Sequence, residues 1–133
     1  YCEELMMEKG YLDELAQISQ AIDALWRAVR VVIDVNLSTG KMSFDEAVEM
    51  LVREVAMERE EAVSEVKRYT QSAAYNLSYL LGKHLIKDLK RKVAHKMGDR
   101  FSEKLFHDTI LYSGSLPMSF FEKVFESKIG SLQ

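Results

Sequence analysis

The sequence predicts an all-α fold, a single bundle of about six or seven helices over residues 1–133. Apolar residues recur at three- and four-residue steps through most of the chain, which is the period of an amphipathic helix. No stretch alternates apolar and polar residues for long, so strands have no support. One proline and six glycines leave few breaks.

The first segment runs to about Lys9, where Gly10 can end it in a left-handed conformation. Leu12, Leu15, Ile18, Ile22, Leu25, Val29, Val32, Ile33 and Asn36 then form one stripe on a long second helix. "STGK" (38–41) reads as a turn, and Ser43 with Glu46 has capping-box spacing ahead of a helix with Ala47, Val48, Leu51, Val52 and Val55 inward. A short charged helix from Glu58 to Tyr69 turns Ala62, Val63, Val66 and Tyr69 to the core, and a bend is expected near Gln71 and Ser72. A long helix resumes near Ala73, with Leu77, Leu81, Leu85, Leu89 and Val93 inward and Gly98 as its stop. Ser102 suits the cap of the next helix. Pro117 suits the first turn of the last, which carries Phe120, Phe121, Val124, Phe125 and Ile129.

Composition bounds the function. A chain of this length fits one domain that buries roughly two thirds of its unfolded surface. Hydrophobic residues at 47% and charged residues at 29% are those of a folded globular protein. A net charge of -3, from 18 basic and 21 acidic residues, gives no general pull toward nucleic acid or an anionic membrane. No apolar run approaches the ~18 residues of a membrane helix. The one cysteine, Cys2, has no internal disulfide partner, which fits a cytoplasmic protein.

The residues themselves show no self-contained active site. His84, His95, His107 and Cys2 lack the spacing of a zinc centre, so no metal site is expected in this chain. The serines have no nucleophile-elbow context and no glycine-rich phosphate loop is present. Lys83, Lys87, Lys90, Arg91, Lys92 and Lys96 alternate with leucines, as on any surface helix, and no aromatic platform joins them to bind nucleic acid. Tyr75, Tyr79, Gly82 and Ile86 share one helical face. A glycine inside a helix costs up to ~1 kcal/mol against alanine, and it is best tolerated where something comes close. A packed helix or a ligand reached by the Tyr79 phenol both satisfy that spacing.

"LWRAVRVVIDVNL" (25–37), "EVKRY" (65–69), "LSYLLGKHLI" (77–86) and "FHDTILYSGSLPMSFFE" (106–122) occur in the order and approximate spacing of the C-terminal part of the domain-of-unknown-function 885 family. The chain resembles that family over nearly its whole length, most specifically in the F-H-D-x-x-L-x-x-G-S-L-P and S-Y-x-x-G strings. Family members look like zinc-dependent, HExxH-bearing helical peptidases. The resemblance implies a chain that is the C-terminal portion of a larger helical metallopeptidase-like domain, with zinc and its ligands in the missing N-terminal half and short peptides as substrate of the parent.

Carried over residue by residue, Tyr79 matches a tyrosine that would face the cleft and hydrogen-bond the oxyanion of the reaction. Tyr75, Arg68, Tyr69 and Arg30 would line the substrate side. Arg30 and Asp34 match an R-x-x-x-D pair able to form an ion pair one turn apart. Asp34, His107, Asp108, Gly114 and Pro117 are expected to be structural, the His107–Asp108 pair tying the penultimate helix to a neighbour. The chain departs from the family where Asn36 and Ser38 replace a glycine and a histidine, and where Ala73, Ala74, Tyr75 and Asn76 replace P-G-Q-A. Substrate preference and activity are open at those positions. The competing expectation is a non-catalytic helical interaction module that self-associates through exposed apolar surface.

Overall fold

Short-range capping chemistry sets the helix starts. In the computed structural model, which describes residues 1–130, the Asp13 side chain accepts from the Ala16 N–H and opens α2 (Glu14–Ser38) behind the short α1 (Cys2–Glu8). Ser43 and Glu46 form the expected capping box at the start of α3 (Phe44–Val55). The two bonds hold the Glu46 carboxyl below its usual range, the Ser43 backbone N–H first. Ala56, left-handed at φ 56, ends α3 and leads into α4 (Arg59–Gln71). The fifth helix, α5 (Leu77–Met97), starts four residues later than the apolar pattern alone predicts. It stops at Gly98, whose φ of 54 suits glycine. A single 3-10 turn, Gly98–Arg100, precedes α6 (Glu103–Tyr112), capped by Ser102 as expected. Gly114, at φ 74, and Pro117 lead into α7 (Met118–Gly130). No strand occurs among the described residues, so the structure is all-α as predicted.

The described chain divides into two compact units, residues 1–82 and 83–130. In the first, α2, α3 and α4 pack around Val29, Ile33, Ala47, Val48, Leu51, Met57, Ala62, Val66 and Tyr69. Burying each large side chain here contributes about 1.5–3 kcal/mol. Arg27 fastens α1 to α2, its guanidinium donating to both carboxylate oxygens of Glu3 at 2.9 and 3.0 Å.

The stripe on α2 exists as a stripe, but it is covered only toward the C-terminal end, at Val29 and Ile33. Leu15, Ile18, Ile22 and Leu25 before them are exposed, and so is Val32 beside them. The reason is length. α2 has 25 residues and α3 and α4 have 12 and 13, so at ~1.5 Å per residue neither partner can reach along the whole of α2.

In the second unit Leu89, Val93 and Met97 of α5 pack with Phe106 of α6 and Phe121 and Phe125 of α7. The Phe106 and Phe125 rings stack at 5.3 Å. Two ion pairs one turn apart, Lys92–Glu122 at 2.8 Å and Lys96–Glu126 at 2.9 Å, join α5 to α7, and Lys90 pairs with Glu103 of α6 at 2.8 Å. The basic run therefore serves helix pairing in part. Leu81, Leu85, Val63 and Phe120, expected inward, are exposed. A Cβ added to Gly82 would meet nothing within 4 Å, so no packed neighbour explains that glycine.

Asp108 differs from expectation. The Asp108 carboxylate pairs with Lys104 on its own helix rather than with a neighbouring one. The His107 ring lies edge-on to that of Phe106, 5.5 Å away. The tie between α6 and α7 is made by Lys128, which donates to the Thr109 hydroxyl at 2.9 Å.

Candidate functional site

The first unit gathers Arg30, Asp34, Tyr75 and Tyr79 around a five-residue break, residues 72–76, between α4 and α5. The break is built on Asp34. Its Oδ1 accepts from the Ala74 N–H at 3.0 Å and the Ser38 hydroxyl at 3.3 Å, while Oδ2 accepts from the Asn76 side-chain amide at 3.2 Å. Asp34 is 2% exposed and Asn76 4%, so these are buried, charge-assisted bonds of the stronger kind. They hold Ala74 at φ 67, a left-handed conformation that costs a non-glycine residue roughly 1–2 kcal/mol. Three of the positions where the chain departs from the family pattern, Ser38, Ala74 and Asn76, thus act together on one carboxylate.

That arrangement replaces the predicted Arg30–Asp34 ion pair. The spacing is right, but the Asp34 oxygens are spent on the break. Arg30 instead lies beneath the Tyr79 ring, its guanidinium carbon 4.3 Å from the ring centre. Arg30 is 7% exposed, and its Nε and Nη2 are buried without a hydrogen-bond partner. Each such donor costs about 1–3 kcal/mol. A cation over an aromatic face returns about 0.5–2 kcal/mol, which does not offset the whole.

Tyr75 and Tyr79 stand side by side on the surface, four residues apart. Their hydroxyls are 3.0 Å apart and either can donate. Their rings meet edge to face at 5.7 Å. Both side chains are about half exposed. The bond to Tyr79 holds the Tyr75 phenol above its ordinary pKa, the Arg30 charge acting weakly in the opposite sense.

Tyr69 lies below this patch, whereas Arg68 is exposed and its charge reaches the Tyr75 phenol. Tyr69 is 2% exposed and belongs to the core, its hydroxyl accepting from Trp26 Nε1 at 3.0 Å, so it cannot reach a substrate as expected. Arg68 is held by Glu65 on its own helix and passes the Tyr69 ring at 5.9 Å. Trp26, one turn before Arg30, is the contact that sequence reasoning missed; its one signal is the four-residue step on the same helix.

Burial pushes the Tyr69 phenol up to about 12, with Glu65 adding and the Trp26 bond opposing. The folded state therefore keeps this proton longer than the unfolded chain, whose phenol titrates near 10. The associated stability is complete below pH 10 and is lost as pH rises from 10 to about 12. Tyrosinate absorbance should show one phenol titrating last, and Tyr69→Phe should remove that late step and flatten the stability loss across the same window.

No three His, Cys, Asp or Glu side chains come together to hold a metal among the described residues. No described helix is long and apolar enough to cross a membrane. Compared with known families, residues 1–124 match the model of a bacterial protein of unknown function (DUF885). Comparison with curated proteins and with solved structures gave no match.

Proposed function

This chain belongs to the domain-of-unknown-function 885 family, and on that premise we propose that it is the C-terminal helical portion of a cytoplasmic zinc-dependent peptidase acting on short peptides. The zinc and the general base lie in the missing N-terminal half, which is this portion's partner within the same protein. The observation that carries the reading is the Tyr79 phenol, solvent-facing beside a buried cation that lacks a counter-anion. In peptide hydrolysis negative charge develops on the carbonyl oxygen under attack, and a preorganised donor there lowers the barrier most. Tyr79 is such a donor. Before substrate enters, the Tyr75 hydroxyl bonds that of Tyr79 and Arg30 lies under the Tyr79 ring, adding positive potential. Tyr69 supports the patch from the core, and Arg68, exposed one residue away, stays on the substrate side.

The test is hydrolysis of a mixture of tri- and tetrapeptides by a protein carrying the whole family domain. Turnover abolished by a zinc chelator, with residues 1–133 alone inactive, is the expected result. A whole-domain protein that folds and hydrolyses none of them contradicts the reading.

A second reading rests on a separate observation, the uncovered stripe of α2. Leu15, Ile18, Ile22 and Leu25 follow one another at steps of three and four and are all exposed. A non-catalytic module would use that seam for self-association. In that case residues 1–133 sediment as a dimer, and an Ile18→Glu, Ile22→Glu double variant sediments as a monomer with unchanged helicity. In the peptidase reading the seam takes no part in self-association of the whole-domain protein.

A further inference from the structure

Arg30 carries a specific chemical demand. An arginine keeps its charge at any physiological pH, so burial cannot neutralise it as it can a lysine. The acid best placed to pair with it, Asp34 one turn on, has its oxygens taken by Ala74, Asn76 and Ser38. Glu65 of α4 is taken by Arg68. Over the unpartnered guanidinium lies the Tyr79 ring, whose hydroxyl bonds that of Tyr75, and both tyrosines are about half exposed. A planar cation with parallel N–H donors matches the two oxygens of a carboxylate, and a phenol supplies a further donor to the same group.

We propose that Arg30 and Tyr75 bind the terminal α-carboxylate of a short peptide, so that cleavage falls next to the C-terminal residue. The proposal rests on the peptidase reading and names its substrate class. As the carboxylate seats, the Tyr79 ring moves off the guanidinium and the Tyr75 hydroxyl leaves Tyr79 for the carboxylate. The Tyr79 hydroxyl is then released toward the neighbouring peptide carbonyl. The two hydroxyls begin 3.0 Å apart. An α-carboxylate and the carbonyl of the preceding bond are separated by about one residue, ~3.8 Å between Cα atoms, so the two donors can serve both groups.

The experiment is a titration of the 133-residue chain followed by the Arg30 Nε–H signal in ¹⁵N–¹H NMR, assigned with Arg30→Lys. The probes are acetyl-trialanine, its C-terminal amide and sodium acetate. The expected result is that the free acid shifts the Arg30 signal and the amide binds at least ~10-fold more weakly. Acetate should also bind more weakly than the acid peptide, and Arg30→Lys should bind the acid peptide at least ~10-fold more weakly, because ammonium lacks the planar fork. Equal binding of acid and amide, or an Arg30 signal that no probe moves, overturns the proposal using unmodified protein alone. Acetate binding as tightly as the peptide overturns the assignment to peptides. Failure of the whole-domain protein to hydrolyse peptides strikes the peptidase reading instead, so the two failures are told apart.

Discussion

Replacing Asp34 with alanine is expected to lower stability by about 3 kcal/mol. Three hydrogen bonds end on this one carboxylate, from Ala74, Ser38 and Asn76. Its loss strands the Asn76 amide, which is 4% exposed, and removes what holds Ala74 left-handed. For a domain of this size the midpoint of thermal unfolding should fall by roughly 10 °C. Asp34→Asn retains one acceptor oxygen and should lose about half as much. Circular dichroism melts of both variants check the claim, and a melt of Asp34→Ala within about 2 °C of the parent would refute the role given to this carboxylate. The effect should be local as well. Hydrogen exchange at Ala74, Tyr75 and the first turn of α5 should accelerate before that of Leu51 or Val66.

Tyr79→Phe in the whole-domain protein is expected to lower kcat by about 10²–10³ with KM little changed. In the proposed reading, removing the hydroxyl deletes a donor to the carbonyl oxygen as charge appears there, so the loss should fall on the transition state. The ring remains over Arg30, so folding should be unaffected and the melting midpoint nearly constant. Tyr75→Phe should act differently. It frees the Tyr79 hydroxyl from a partner without removing it, so kcat falls less while KM for free-acid peptides rises.

Local chemistry was legible in the sequence and long-range partnership was not. The Ser43–Glu46 box, the Ser102 cap and the glycine stops at Gly10 and Gly98 depend on residues within one turn, and they form as the pattern predicts. The periodicity of α2 located its apolar face, yet could not say how far that face is covered, because coverage depends on the lengths of α3 and α4. The Arg30–Asp34 spacing reads as an ion pair, and that pair does not form. What the sequence could not show is that a chain segment 40 residues on would claim the carboxylate and leave the guanidinium alone. Tyr69 and Tyr79 looked alike because a tyrosine has an apolar ring and a polar tip, serving equally as core or as surface donor. Burial separated them. Family strings identified the chain over residues 1–124, although Asp108 pairs within its own helix where a tie between helices was expected.

The central claim is that Tyr79 meets the substrate. It is tested most directly by the ¹³Cζ tyrosine NMR signals of the whole-domain protein, recorded free and with a phosphinic peptide that mimics the tetrahedral state of the reaction. The account predicts that the Tyr79 signal moves most and the Tyr75 signal moves with it, while Tyr69 in the core stays in place. A Tyr79 signal unmoved by a bound inhibitor would contradict it.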